Sequence, residues 1–162
     1  MGRFAIEGTA RNVPLALLYD WYTDFRPDDP SLVEDTLRGR PLRFVERKVT
    51  RQGIHVLIEN MMDYKGRRVL ARTETTLRPE RFAYDVDTRY TGAMRFRDRR
   101  HYAFTELPEG TQIRAECEIS EARGILGLLS ALGLVASAVR RESQRLMDAY
   151  LRVAERELGG VL

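Results

Sequence analysis

Residues 54–77 read IHVLIENMMDYKGRRVLARTETTL. Taking Lys65-Gly66 as a two-residue hairpin turn sets Met62 opposite Val69, Asn60 opposite Ala71 and Ile58 opposite Thr73. On the other face Glu59 then meets Arg72 and Asp63 meets Arg68. A one-residue slip would send every side chain to the wrong face, so agreement on both faces supports this register. The same test extends along the chain. A turn at Pro79-Glu80 pairs Leu77 with Phe82 and Thr75 with Tyr84. A three-residue turn Thr91-Gly92-Ala93 pairs Tyr90 with Met94 and Thr88 with Phe96. The loop Leu107-Pro108-Glu109-Gly110 pairs Phe104 with Ile113 and Tyr102 with Ala115. Residues 41–120 therefore read as a six-stranded antiparallel meander. The strand before Gln52-Gly53 admits two registers, which leaves Glu46, Arg47 and Lys48 each a candidate to point inward.

Helical patterns flank the meander. Residues 3–9 alternate, with Phe4 and Ile6 on one face, and form a first strand. Two short helices fill 14–37. Asn12 caps the first, Pro14 sits in its first turn, and Leu17, Leu18, Trp21, Tyr22 and Phe25 make its apolar stripe. Asp28-Asp29-Pro30 repeats the cap-then-proline signal and opens the second. A long helical pattern covers 122–158, with Ile125, Leu128, Leu129, Leu132, Val135, Val139, Leu146, Tyr150 and Val153 at helical spacing. Gly127 and Gly133 inside it imply either close approach to the sheet, room for a ligand, or a kink near Gly133. This order gives an α+β architecture: a seven-stranded curved antiparallel sheet wrapped around a long C-terminal helix, with an internal cavity.

Composition narrows the class. The chain has 162 residues, 43% hydrophobic and 31% charged, and suits one domain over 1–162. The lone Cys117 excludes an internal disulfide and a cysteine-based zinc site. Residues 1–11 lack the apolar core of a signal peptide, and the apolar run 125–139 is short of the roughly 20 residues a membrane span needs, so a cytoplasmic location is expected. Of the 27 basic residues only Lys48 and Lys65 are lysines. On the outward face Arg95, Arg97, Arg99 and His101 line up like a nucleic-acid stripe. The predicted register neutralises them: Asp87 beside Arg97, Asp85 and Glu118 flanking Arg99, and Glu116 beside His101. Without an uncompensated positive field, nucleic-acid binding is disfavoured.

The order of elements resembles the helix-grip arrangement of the START-like superfamily, also called SRPBCC. The stretch Val13-Pro14-Leu15-Ala16-Leu17-Leu18-Tyr19-Asp20-Trp21-Tyr22-Thr23-Asp24-Phe25 is similar to that superfamily's first-helix signature. The resemblance implies a deep apolar pocket between the concave sheet and the long helix. It implies ligands such as lipids, polyketides, plant hormones or hydrophobic cofactors. Such folds share architecture without sharing chemistry.

The predicted inward set is Phe82, Tyr84, Val86, Thr88, Tyr90, Met94, Phe96, Tyr102, Phe104, Ile113, Ala115 and Ile119, broken by two charges, Asp98 and Arg100. Buried charges demand partners. They are either an ion pair or a polar anchor for a ligand carboxylate or phosphate, with Tyr84 opposite Arg100 and Tyr102 lending hydroxyls. Asp98, Arg100, Tyr84, Tyr90, Tyr102, Phe96, Met94, Leu128 and Leu132 are the candidate ligand-binding residues. Cys117, across from Arg100, is a packed thiol or one activated by the guanidinium. His55 and His101 point outward, so no metal site is expected, and no cofactor is called for. Asp20, Asp24, Asp28 and Asp29 serve as caps and solvated charges, or as a weak divalent-ion site. Three functions follow: carriage of a hydrophobic small molecule; a polyketide cyclase- or dehydratase-like enzyme using Asp98, Tyr84 and Arg100; or a protein-interaction module. Oligomeric state is left open.

Overall fold

A computed structural model describes residues 2–24, 42–50, 53–64, 66–124, 129 and 133–159. Seven strands form one antiparallel sheet: β1 (Gly2–Arg11), β2 (Leu42–Thr50), β3 (Gly53–Tyr64), β4 (Arg67–Arg78), β5 (Ala83–Gly92), β6 (Phe96–Leu107) and β7 (Gly110–Ser120). Their spatial order is β1-β7-β6-β5-β4-β3-β2. Helix α1 (Leu15–Thr23) follows β1, and helix α2 (Leu134–Leu158) packs across β1 and ends near α1. This is a helix-grip α+β fold, with the curved sheet around its C-terminal helix. The second short helix expected after Asp28 lies outside the described residues, as do Leu128 and Leu132.

The sheet registers match the sequence reading at two hairpins and depart from it at two. Met62 pairs Val69 and Glu59 pairs Arg72, and Phe104 pairs Ile113 and Arg100 pairs Cys117. The β4–β5 connection is longer than two residues. Pro79–Arg81 forms a 3-10 turn and Phe82 takes a left-handed conformation (φ 45°), so Leu77 pairs Tyr84 and Thr75 pairs Val86. At the β5–β6 turn Tyr90 pairs Phe96 and Thr88 pairs Asp98. Both slips are two residues. Since the side-chain period is two, every residue keeps its face. The consequence is that Tyr84 sits opposite Tyr102, not Arg100.

A bulge explains the ambiguity in β2. Phe44 pairs Ile58 but Glu46 pairs Leu57, so one extra residue shifts the phase partway along the strand. Residues 46–50 are all exposed. Glu46 and Lys48 pair Leu57 and His55 on the outer face, whereas Arg47 pairs the core residue Val56 and so lies on the inner face of this edge strand.

The helices correct three further expectations. Asn12 does not cap α1: it is left-handed (φ 55°) and donates its backbone N–H to Glu109 O at 2.9 Å, while Pro14 occupies the cap position. The buried face of α1 is Leu18, Tyr19 and Thr23, with Leu17 exposed. Residues 121–123 have no helical structure, and Gly133 is left-handed with open space around it, so it starts α2 rather than approaching the sheet. The close approach is made by glycines of β1. A Cβ on Gly8 would collide with Leu151 Cδ1, and one on Gly2 with Ala136 Cβ. Accordingly α2 buries Ser143, Met147, Leu151 and Ala154. That stripe is turned about one residue from the Leu146, Tyr150, Val153 spacing, because small side chains let the backbones close up.

Candidate functional site

The inner face of the sheet is set by the alternation of β5, β6 and β7. Tyr84, Thr88, Asp98, Phe104, Ile113, Ala115, Cys117 and Ile119 are buried there. Arg99 and Arg97 point the other way. Arg99 meets Glu118 at 2.8 Å, and Arg97 meets Asp87 at 2.8 Å and Glu121 at 3.2 Å. In the observed register Arg97 has Arg89 as its direct neighbour, and the Asp87 carboxylate reaches it diagonally. Asp85, expected beside Arg99, instead holds His101 Nδ1 at 2.7 Å and pairs with Arg78. Ion pairs thus compensate Arg97 and Arg99 on the outer face.

Between the inner face and the helices lies a cavity of about 180 Å³. Its lining comes from five elements: Ile6 on β1, Trp21 and Tyr22 on α1, Tyr84 on β5, Arg100 and Tyr102 on β6, and Ser143, Leu146, Met147 and Tyr150 on α2. The walls are mainly aromatic. Tyr84 and Tyr102 stack at 4.4 Å between centroids, and Tyr22 meets Phe104 and Tyr150 edge-on at 5.7 and 6.0 Å. Edge-to-face and offset packing suits the ring quadrupoles and holds this wall in one arrangement. Burial pushes the Tyr22, Tyr84 and Tyr102 phenols above their usual range, so all three keep their protons at neutral pH. Arg100 lowers Tyr102 in part.

Arg100 is the charged residue of this lining. Its Nε donates to Asp98 Oδ2 at 2.9 Å and Oδ1 at 3.1 Å, and its Nη2 donates to Asp98 Oδ2 at 2.5 Å. Its Nη1 donates to the Tyr102 hydroxyl at 3.4 Å. Residues two apart on a strand share a face, which is why this pair forms within β6. Burial disfavours the guanidinium charge, but Tyr102 and Asp98 outweigh it and hold Arg100 firmly protonated. Asp98 itself is 3% exposed and lies under the Arg100 side chain, outside the cavity lining. Its strand neighbour Thr88 shares a hydrogen bond with Thr73 at 3.1 Å.

The other sequence candidates sit elsewhere. Tyr90 and Phe96 stack on each other at 4.2 Å toward the opposite end of β5 and β6, and Met94 is half-buried between those strands. Burial pushes the Cys117 thiol up to about 11 despite Arg100, so it is a packed thiol rather than a thiolate. Among the described residues no group of three or more His, Cys, Asp or Glu is placed to hold a metal ion. No described helix is long and apolar enough to cross a membrane. The sequence reading did not nominate Ile6, Trp21, Tyr22, Ser143, Leu146, Met147 or Tyr150 for the site. The usable signal was the small pair Ser143 and Ala154 on α2, which marks the face that closes on Gly8.

No family model and no curated protein matches the chain. Solved structures do. A protein of Thermus thermophilus superimposes with a TM-score of 0.66 at 18% identity, covering 93% of this chain and 95% of that one. The Zhui aromatase/cyclase of Streptomyces sp. R1128 gives 0.66 at 18% identity over 96% and 95%. Ara h 8.0201 gives 0.64 at 14% identity over 94% and 96%. Near-complete coverage in both directions leads to one conclusion: this chain shares the helix-grip fold of these structures.

Proposed function

We propose that the chain binds a hydrophobic small molecule in the cavity beneath α2. The carrying observation is that cavity: about 180 Å³, walled by apolar and aromatic side chains, with one guanidinium, four tyrosine hydroxyls and the Ser143 hydroxyl among its lining residues. An apolar recess with a few convergent polar groups is the usual build of a small-molecule site. The volume lies below the roughly 300–1,000 Å³ of drug-sized pockets, which fits a two-ring molecule or the end of a longer one. Trp21 is the single tryptophan of the chain and lines the cavity, so its emission reports occupancy. The test is titration with an apolar fluorescent probe, with native mass spectrometry for co-purified ligand. Saturable quenching of Trp21, lost on Ser143→Phe filling of the cavity, is the expected result. Probe binding that leaves Trp21 unaffected and survives Ser143→Phe sinks the reading.

A second reading is favoured by one contact. The Tyr102 hydroxyl, 3.4 Å from Arg100 Nη1, is a protonated donor facing the cavity and suits hydrogen bonding to the oxyanion that develops in carbonyl chemistry. The similar Streptomyces structure is named an aromatase/cyclase. The enzyme version assigns oxyanion stabilisation to Tyr102 or Tyr84 and leaves Asp98 to hold Arg100. Turnover of a poly-β-keto thioester to ring-closed product should fall about 10²-fold in Tyr102→Phe or Tyr84→Phe. Unchanged product from both variants removes it.

A further inference from the structure

The charge balance of the buried pair bears on what kind of molecule the cavity takes, an inference that rests on the binding reading above. Arg100 is the single charged residue of the described lining, and three of its hydrogen bonds go to Asp98 against one to Tyr102. The side chains are 19% and 4% exposed, so the pair sits largely out of water. The neighbouring thiol of Cys117 and the phenols of Tyr22, Tyr84 and Tyr102 are neutral. The site therefore carries no net charge. Its Nε–Nη2 edge already holds the Asp98 carboxylate. The N–H groups outside that edge are those of Nη1, which also donates to the Tyr102 hydroxyl, and the outer one of Nη2. A carboxylate brought here would lose its hydration and meet a guanidinium whose charge is already balanced by Asp98. A ketone, ester or amide oxygen loses far less on desolvation and needs only one or two of those donors.

We propose that the cavity selects neutral carbonyl-bearing molecules over their carboxylate counterparts, and that Asp98, as a positioning residue, sets this preference. Asp98 acts through Arg100 and touches no ligand.

The probes are 2-naphthamide and 2-naphthoate, near-isosteric and differing in charge at neutral pH. Calorimetric titration of the wild-type protein should give the amide about tenfold or more the tighter binding. Asp98→Asn frees the guanidinium, so naphthoate affinity should rise about tenfold or more and the order reverse. Asp98→Glu should keep the amide preference. A fold check by circular dichroism accompanies each variant. Where Asp98→Asn does not fold, the double variant Asp98→Asn/Arg100→Gln replaces it and should leave naphthoate weak. Wild-type protein that binds naphthoate as tightly as the amide overturns the inference while leaving the binding reading intact. An unchanged order in folded Asp98→Asn overturns the assignment of Asp98. Binding of neither probe, together with failure of the Trp21 titration, removes the binding reading itself and this inference with it.

Discussion

Replacing Arg100 by methionine deletes the guanidinium and keeps most of the aliphatic stem. Asp98 then loses all three of its hydrogen bonds to that group while remaining 3% exposed. Breaking one side of a buried ion pair typically costs about 3–5 kcal/mol, because the survivor is left charged and unsolvated. Against a total stability of about 5–15 kcal/mol this is a large fraction. Asp98→Asn should cost less, about 1–3 kcal/mol. The amide oxygen still accepts from Nε, and Arg100, 19% exposed, can turn toward the cavity. The double variant Asp98→Asn/Arg100→Met carries no buried charge, so its loss should fall well short of the sum of the singles, with a coupling of about 2 kcal/mol or more. Urea unfolding followed by circular dichroism measures all four corners, with equal m-values required before the midpoints are compared. Single losses below about 1 kcal/mol, or strict additivity, would mean the pair is solvated. The neutral-site argument would then fail with it.

Two other outcomes are expected. Tyr22, Tyr84 and Tyr102 have folded-state pKa values raised by burial, and Tyr19, also raised by burial while its hydroxyl donates to Ala83 O at 3.0 Å, reaches about 12. The unfolded phenols titrate near 10, so the stability these groups hold is complete below about pH 10 and is lost as pH rises through the folded values. Each should add a slope of about 1.4 kcal/mol per pH unit in that window, and Tyr22→Phe should remove one such share; phenolate absorbance that appears for all seven tyrosines while the protein is still folded contradicts this. Gly8→Ala drives a methyl into Leu151 Cδ1 under α2 and should cost about 1–3 kcal/mol by overpacking, read as a drop in thermal midpoint, while an unchanged midpoint would mean α2 moves freely away from β1.

The alternation of 83–120 was enough to decide which residues face inward. Asp98, Arg100 and Tyr102 lie on the buried side and Arg97 and Arg99 on the outer side, as their parity requires. Parity is a local property, since each peptide flips its neighbour, and it survives any even error in register. Register held at the β3–β4 and β6–β7 hairpins and failed at the two between them. The β4–β5 and β5–β6 pairings were each off by two because turn length depends on conformations that sequence does not announce. Phe82 is left-handed against its own preference, and there it packs edge-on against Tyr19 at 5.6 Å, a contact 63 positions away in the chain. The β2 bulge is of the same kind.

By itself, then, the order of patterned segments determined a helix-grip fold, and strand parity determined that an acid and a base would share its interior. Tertiary structure alone decided that Asp98 grips Arg100 instead of awaiting a ligand. It alone set Tyr84 on Tyr102, and it rotated α2 so that Ser143 and Met147 close over them. The reason is physical. Periodicity reports which way a side chain leaves its own backbone, whereas a cavity is made by surfaces from five elements meeting, and their distance is set by small residues such as Gly8 that carry almost no pattern of their own.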